Sequence, residues 1–354
     1  MNRYDIAVLP GDGIGREVMP QGVRALRAAA SRFGFEVRLN EFDWSCETYR
    51  ATGRMMPEDG LERLRDHDAL LLGAVGFPGV PDHVSLWGLL LPIRRGFDQY
   101  VNLRPVRLLD GVRSPLRDVQ PGEIDMWIVR ENSEGEYSQV GGRMFEGTPH
   151  EIVMQQATFT RRGTDRIIAY AFDLARRLGR GRVSSATKSN GLFHSMPFWD
   201  ERFAEIAACY PDIAADQHHI DILAARMVMQ PQRFDVIVAS NLFGDILSDL
   251  GPGVTGTIAL SPSANINPER LFPSMFEPVH GSAPDIAGQG LANPVGQIWS
   301  AAMMLDHLGE TAAAAAVLAA VEQVLAKGEG GPRTPDLGGR ATTEELGAAI
   351  AALI

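Results

Sequence analysis

The N-terminal run IAVLP passes through GDGIG straight into REVMPQGVRALRAAASRF, whose apolar positions Val18, Leu26, Ala30 and Phe33 fall at helical spacing. A strand apolar on both faces must be covered on both faces, and a helix that follows it after so tight a turn supplies one cover. This opening commits the chain to α/β construction. The alternation continues, with FEVRLNEF, ALLLGAV, IDMWIVR, RVSSAT and FDVIVAS as strands and TDRIIAYAFDLARRLG and NPVGQIWSAAMMLDHLG as helices. The expected class is α/β, mixed sheets flanked by helices, and 354 residues suffice for two domains sharing a cleft. The alternation breaks between Gly141 and Thr160, where a Gly-rich turn leads into EIVMQQATFT, an extended segment without a tight return after it. This arm, at about residues 140–160, reads as a dimer clasp or an edge strand. After Glu310 the chain is Ala-rich and helical, interrupted by a surface loop, GEGGPRTPDLGG.

Composition removes several functions. No apolar run reaches the roughly 20 residues of a bilayer span, and the first thirty residues hold a strand and a helix rather than a signal peptide, so no membrane partner and a cytoplasmic location are expected. The two cysteines, Cys46 and Cys209, stand in unrelated contexts and build neither a disulfide framework nor a thiolate metal site. A net charge of -11 without clustered Lys and Arg argues against a nucleic-acid partner. Of 33 basic residues only Lys188 and Lys327 are lysines.

The chemistry concentrates in a few segments. NLFGDILSDLGPG sets Asp245 and Asp249 four residues apart on one helix face, roughly 6 Å apart at Cβ. Gly244 permits close approach, and Asp221, in HHIDILAARMV, offers a third carboxylate among apolar neighbours. Three such groups suit Mg²⁺ or Mn²⁺. His218 and His219, lacking further His or Cys nearby, read as structural. Arg94 in LLLPIRRGFD, Arg104 in VNLRPV and Arg130 in IDMWIVRENSEG sit poorly for surface arginines, and each guanidinium can grip a carboxylate with two hydrogen bonds. Lys188, where RVSSAT meets a turn, is a lysine in a chain that almost always uses arginine, and an amine can give up a proton where guanidinium cannot. Tyr137, in ENSEGEYS, can donate a proton to a developing carbanion. GDGIG lacks the GxGxxG spacing, so a standard Rossmann site is rejected. A better nucleotide candidate is EPVHGSAPDIAG, where small residues admit a ligand to the backbone and Asp285 can accept from ribose hydroxyls and repel a 2′-phosphate, favouring NAD.

GDGIG, NLRP, RENSEGEY, TKSN, NLFGDILSDL and EPVHGSAPD, in this order along nearly the whole chain, resemble the isocitrate/isopropylmalate dehydrogenase family of β-decarboxylating dehydrogenases. The resemblance implies a two-domain fold unlike Rossmann, with residues 1–99 and 259–354 forming a nucleotide-binding domain and 100–258 a central domain carrying the dimer interface and the arm. It implies a homodimer in which Lys188 and Asp221 are lent to the neighbour's active site. It also implies a carboxylate clamp of Arg94, Arg104 and Arg130, metal ligands Asp221, Asp245 and Asp249, and an acid/base pair Tyr137 and Lys188. His280, Gly281, Ser282, Ala283, Asp285, Ile286 and Asn293 fall in the matching adenosine loop, with Asp285 and Ile286 in the NAD-type pattern.

Within the family, the segment before the first clamp arginine sets the substrate. Here it is VSLWGLLLPIR. SLWG, with RRGFDQYVNLRPVR, is similar to the branch acting on tartrate and D-malate, for which Trp87 narrows the pocket to a four-carbon diacid beside Leu90. K⁺ is a further expectation of that branch. If Trp87 only packs the domain edge, Leu90 and Leu91 hold an isopropyl group and the substrate is 3-isopropylmalate. A noncatalytic regulatory subunit is disfavoured, because acid/base and metal groups are all present.

Overall fold

The computed structural model describes residues 2–354. In chain order the strands are β1 (Arg3–Gly11), β2 (Glu36–Glu41), β3 (Ala69–Ala74), β4 (Val101–Arg107), β5 (Asp125–Glu131), β6 (Gly135–Met144), β7 (Ile152–Thr158), β8 (Arg182–Thr187), β9 (Ala214–His219), β10 (Val236–Ala239), β11 (Pro262–Ile266) and β12 (Ser274–Pro278). The chain divides into two compact units, one of residues 1–99, 104–124 and 252–354, the other of residues 100–103 and 125–251.

In the first unit β1 pairs in parallel with both β2 and β3, β12 lies parallel to β3, and β11 runs antiparallel to β12. The sheet is therefore mixed. Ile6 to Leu9 and the whole of β3 are buried, which is why both read as unbroken apolar runs rather than alternating ones. Helix Gly15–Phe33 packs against helices Val295–Leu308 and Thr343–Ala351. Gly22 makes the first of these contacts close, since a Cβ there would stand 2.8 Å from Gln297 Cγ.

In the second unit β10 lies between β5 and β8, with β9 beyond β8, all parallel. Helices Arg161–Arg177 and Ser195–Ala207 pack together, and the buried Trp199 indole donates to Ser185 Oγ at 2.9 Å. The arm is a hairpin. β6 and β7 pair antiparallel around residues 145–151, so the segment EIVMQQATFT, expected to lack a return, has its partner strand before it. Every residue of β7 is exposed, including Ile152, Val153 and Met154.

Besides β6, which runs into the stretch read as a Gly-rich turn, four strands escaped the sequence reading. β9 is polar because it is a sheet edge, β4 and β11 carry prolines, and β11 and β12 bury Ser263, Asn265, Ser274 and Glu277 among their apolar residues.

Gly11 ends β1 at φ +70°, and a Cβ there would lie 1.9 Å from the Ala74 carbonyl oxygen. Gly11→Ala should cost about 2 kcal/mol or more by combining backbone strain with that clash. Urea unfolding is the check, and an unchanged midpoint would contradict this account of the turn.

Candidate active site

The acidic helix Asn241–Thr255 follows β10 after a single residue. Glu136, on β6, accepts from Ser240 Oγ at 2.8 Å and from the Leu242 amide at 3.1 Å, placing a negative charge at the helix N-terminus, where the backbone amides favour it. Asn241 Nδ2 donates to the Glu134 carbonyl at 2.9 Å. These bonds tie the helix to the segment that carries Tyr137.

Arg130 is the penultimate residue of β5 and is only 5% exposed. Its Nε and Nη2 donate to Asn241 Oδ1 at 3.0 and 2.8 Å, and its Nη1 donates to Asp245 Oδ1. Gly244 makes this possible, because a Cβ at that position would come within 2.5 Å of the Arg130 Cβ. Tyr137 OH donates to the other Asp245 oxygen at 2.7 Å. Burial first, and then the bond to the Asp245 carboxylate, push the phenol up to about 12, so Tyr137 keeps its proton across the neutral range. Asp249 stands one turn further along, exposed.

Lys188 and Asp221 meet through sheet register. β8 pairs with β9 so that Thr187 lies opposite His219, and the next residues of each segment bring Lys188 Nζ to 2.8 Å from Asp221 Oδ1. The ammonium holds the Asp221 carboxyl below its ordinary range. Close to the pair along the chain, Leu192, Phe193 and Ile222 are exposed. Among the described residues no group of three or more His, Cys, Asp and Glu is placed to hold a metal ion. The donor chemistry, carboxylate oxygen, fits a hard divalent cation, but within one chain the count does not. His218 lies between Arg226 Nη1 and the Asp216 carboxylate, in keeping with its structural reading.

In the first unit Arg94 is buried and bonded to Glu277 Oε1 at 2.6 Å, an oxygen that also accepts from Asn265 Nδ2 at 2.7 Å. Arg104 is buried on β4. Trp87 and Leu90 belong to one turn of π-helix, Leu86–Leu90, that runs into the Arg94 helix. Leu90 is buried, whereas Trp87 is 36% exposed with the Arg95 guanidinium 4.8 Å from its ring centroid. In the loop after β12, His280 is buried with Nε2 unpartnered, Gly281 faces open space on its Cβ side, and Asp285 is exposed. Ala283 and Ile286 pack against Ile14, Val18 and Ala292. Asn293 donates to Asp336 at 3.1 Å and accepts from the Val295 amide. A buried ring nitrogen without a partner beside small residues fits a cradle for a polar heterocycle or ribose.

A family model described as isocitrate/isopropylmalate dehydrogenase matches residues 5–350. The chain belongs to the isocitrate/isopropylmalate dehydrogenase family. It is 59% identical to D-malate dehydrogenase (decarboxylating) of Escherichia coli (strain K12), over 100% of this chain and 99% of that protein. It is 57% identical to tartrate dehydrogenase/decarboxylase of Pseudomonas putida, over 98% and 96%. Among solved structures it is similar to isocitrate dehydrogenase from Methylococcus capsulatus, with TM-score 0.88 and 35% identity over 99% of this chain and 98% of that one. Membership of the isocitrate/isopropylmalate dehydrogenase family implies NAD and a divalent metal ion.

The sequence reading missed the carboxylates that hold the others in place. Glu136 and Glu277 each accept from groups far along the chain, and only the fold reveals such pairs.

Burial holds His280 below its ordinary value, so the folded chain resists taking up that proton while the unfolded chain accepts it near pH 6.5. The stability that neutral His280 preserves is complete above about pH 6.5 and falls as pH drops below it. The thermal midpoint should decline over that range, and His280→Gln should flatten the decline. An identical slope in the variant would remove His280 from this account.

Proposed function

We propose that this chain oxidises a four-carbon 2-hydroxy dicarboxylic acid, tartrate or D-malate, with NAD⁺, and then decarboxylates the keto acid. The observation that carries the reading is Tyr137, whose OH donates to Asp245 at 2.7 Å on the same acidic helix that bears Asp249. A phenol on a carboxylate of metal-binding type supplies the proton that an enolate left by departing CO₂ requires.

Arg94, Arg104 and Arg130 bind the substrate's carboxylates in this reading, and their burial supports it, since a desolvated guanidinium grips an anion more strongly than an exposed one. Asp245 and Asp249, with Asp221 of a second copy, would hold Mn²⁺ or Mg²⁺, which when bound supplies a Lewis acid for the 2-hydroxyl and the neighbouring carboxylate. Lys188 of that second copy, as the free amine once Asp221 has turned from it to the metal, would take the hydroxyl proton, and NAD⁺ when bound would supply the hydride acceptor for carbon 2. The β-carboxylate then departs as CO₂, its bonding pair forming the enolate, which Tyr137 protonates at carbon. The homodimer that this sharing demands has apolar surface to use, on the β6–β7 hairpin and beside Lys188. His280, Gly281, Ser282, Ala283, Asp285, Ile286 and Asn293 hold the adenosine end of NAD. Trp87, braced by Arg95, walls the pocket beside Leu90 against an alkyl substituent on carbon 3. K⁺ as an activator and a cytoplasmic setting belong to the same reading.

NADH formation at 340 nm, with Mn²⁺ and K⁺ present, should be faster with D-malate and the tartrate isomers than with 3-isopropylmalate. Trp87→Ala should narrow the gap by about tenfold or more, the usual worth of a few methylenes in a pocket. Preference of the native chain for 3-isopropylmalate would sink the four-carbon assignment. Tyr137→Phe should slow formation of pyruvate from D-malate about a hundredfold or more. Pyruvate formed by that variant at the native rate would exclude Tyr137 as the acid.

A further inference from the structure

We infer that Glu17 is the positioning residue of the dinucleotide loop, and that the GDGIG turn, which lacks a phosphate-binding spacing, serves to dock that loop on the first helix. The inference rests on the reading of residues 280–293 as the adenosine site. Gly13 has φ +51°, and a Cβ there would lie 2.0 Å from the Ser282 carbonyl oxygen, so the turn and the loop touch backbone to backbone. The Ile14 amide donates to that same oxygen at 2.9 Å. One helical turn on, the two oxygens of Glu17 divide between two amides, Oε1 accepting from Gly288 and Oε2 from Gly290 at 2.7 Å.

Gly288 and Gly290 lie in the left-handed region, at φ +80° and +66°, which turns both N–H groups toward the incoming carboxylate. Between them Gln289 folds back, its amide donating to the Ile286 carbonyl and its Nε2 to the Asp285 carbonyl at 2.8 Å. Glu17 thus closes the loop immediately after Asp285 and Ile286, the two residues of NAD-type pattern. Charge-assisted bonds are about twice as strong as neutral ones, and Glu17 is partly buried. A loop fixed before the ligand arrives spends none of the binding free energy on ordering itself.

Glu17→Ala removes both acceptors, while Glu17→Gln keeps one acceptor oxygen and the side-chain volume. NADH fluorescence titration should show Kd raised about tenfold for Glu17→Ala and by less for Glu17→Gln, the usual worth of a hydrogen bond to a charged group. KM for NAD⁺ should rise in parallel, with kcat at saturating NAD⁺ and KM for the diacid unchanged. The Gly288 and Gly290 amides should exchange hydrogen faster. An unchanged Kd in both variants overturns the inference, even where the thermal midpoint falls, because Glu17 would then be a stability residue only. Asp285→Ala separates the two readings. If it weakens NADH binding and Glu17→Ala does not, only the positioning role fails. If neither weakens binding, the adenosine site itself is misplaced and both fail.

Discussion

The bond from Arg130 to Asp245, made across the bare backbone of Gly244, is the constraint on which the acidic helix depends. Two aspartates one turn apart repel each other, and a helix carrying them needs a cation or an enclosing donor set to stay against the sheet. Arg130 supplies the cation from the end of β5, and its remaining nitrogens clasp the Asn241 side chain at the start of the same helix. Glu136 holds the helix N-terminus from β6, and Tyr137, the next residue, closes on Asp245. Strand end, helix start and hairpin root are therefore fixed together.

Much of this was legible in the sequence for identifiable reasons. Unbroken apolar runs announce burial on both faces, so β1, β3, β5 and β10 could be read directly. Arg94, Arg104 and Arg130 stood out because each interrupts or ends such a run, and all three are buried. Gly244 was legible because a glycine inside a helix has to serve a close contact. What stayed hidden depended on distant partners or on edges. β9 reads as polar because one side of it is open, and the hairpin was half visible, β7 reading as an extended arm while β6 was hidden by a stretch that reads as a Gly-rich turn. Lys188 and Asp221 could each be singled out, but their meeting follows from a register in which Thr187 lies opposite His219.

The separation of these two groups from the Asp245 helix is as informative as their pairing. One chain holds arginine, tyrosine and two carboxylates in one place and a lysine with the third carboxylate in another, bonded to each other at 2.8 Å. Three carboxylates do not gather among the described residues. The Lys188–Asp221 pair is exposed, and Leu192, Phe193 and Ile222, close to it along the chain, expose apolar side chains, Phe193 to 82%. Such a surface is costly to leave in water and is suited to cover by another copy of the chain. On this account each copy carries two half-sites, and each half is completed by the complementary half of its neighbour.

Complementation tests that claim most directly. Lys188→Ala and Asp249→Asn are each expected to abolish turnover, and the two inactive proteins would be unfolded together, refolded as a mixture and assayed for NADH formation with D-malate. If the halves come from different copies, mixed dimers contain one site with neither substitution, and activity returns to a readily measured fraction of the native rate. If both residues serve the site of their own chain, every site in the mixture carries a substitution, and the mixture stays as inactive as its components.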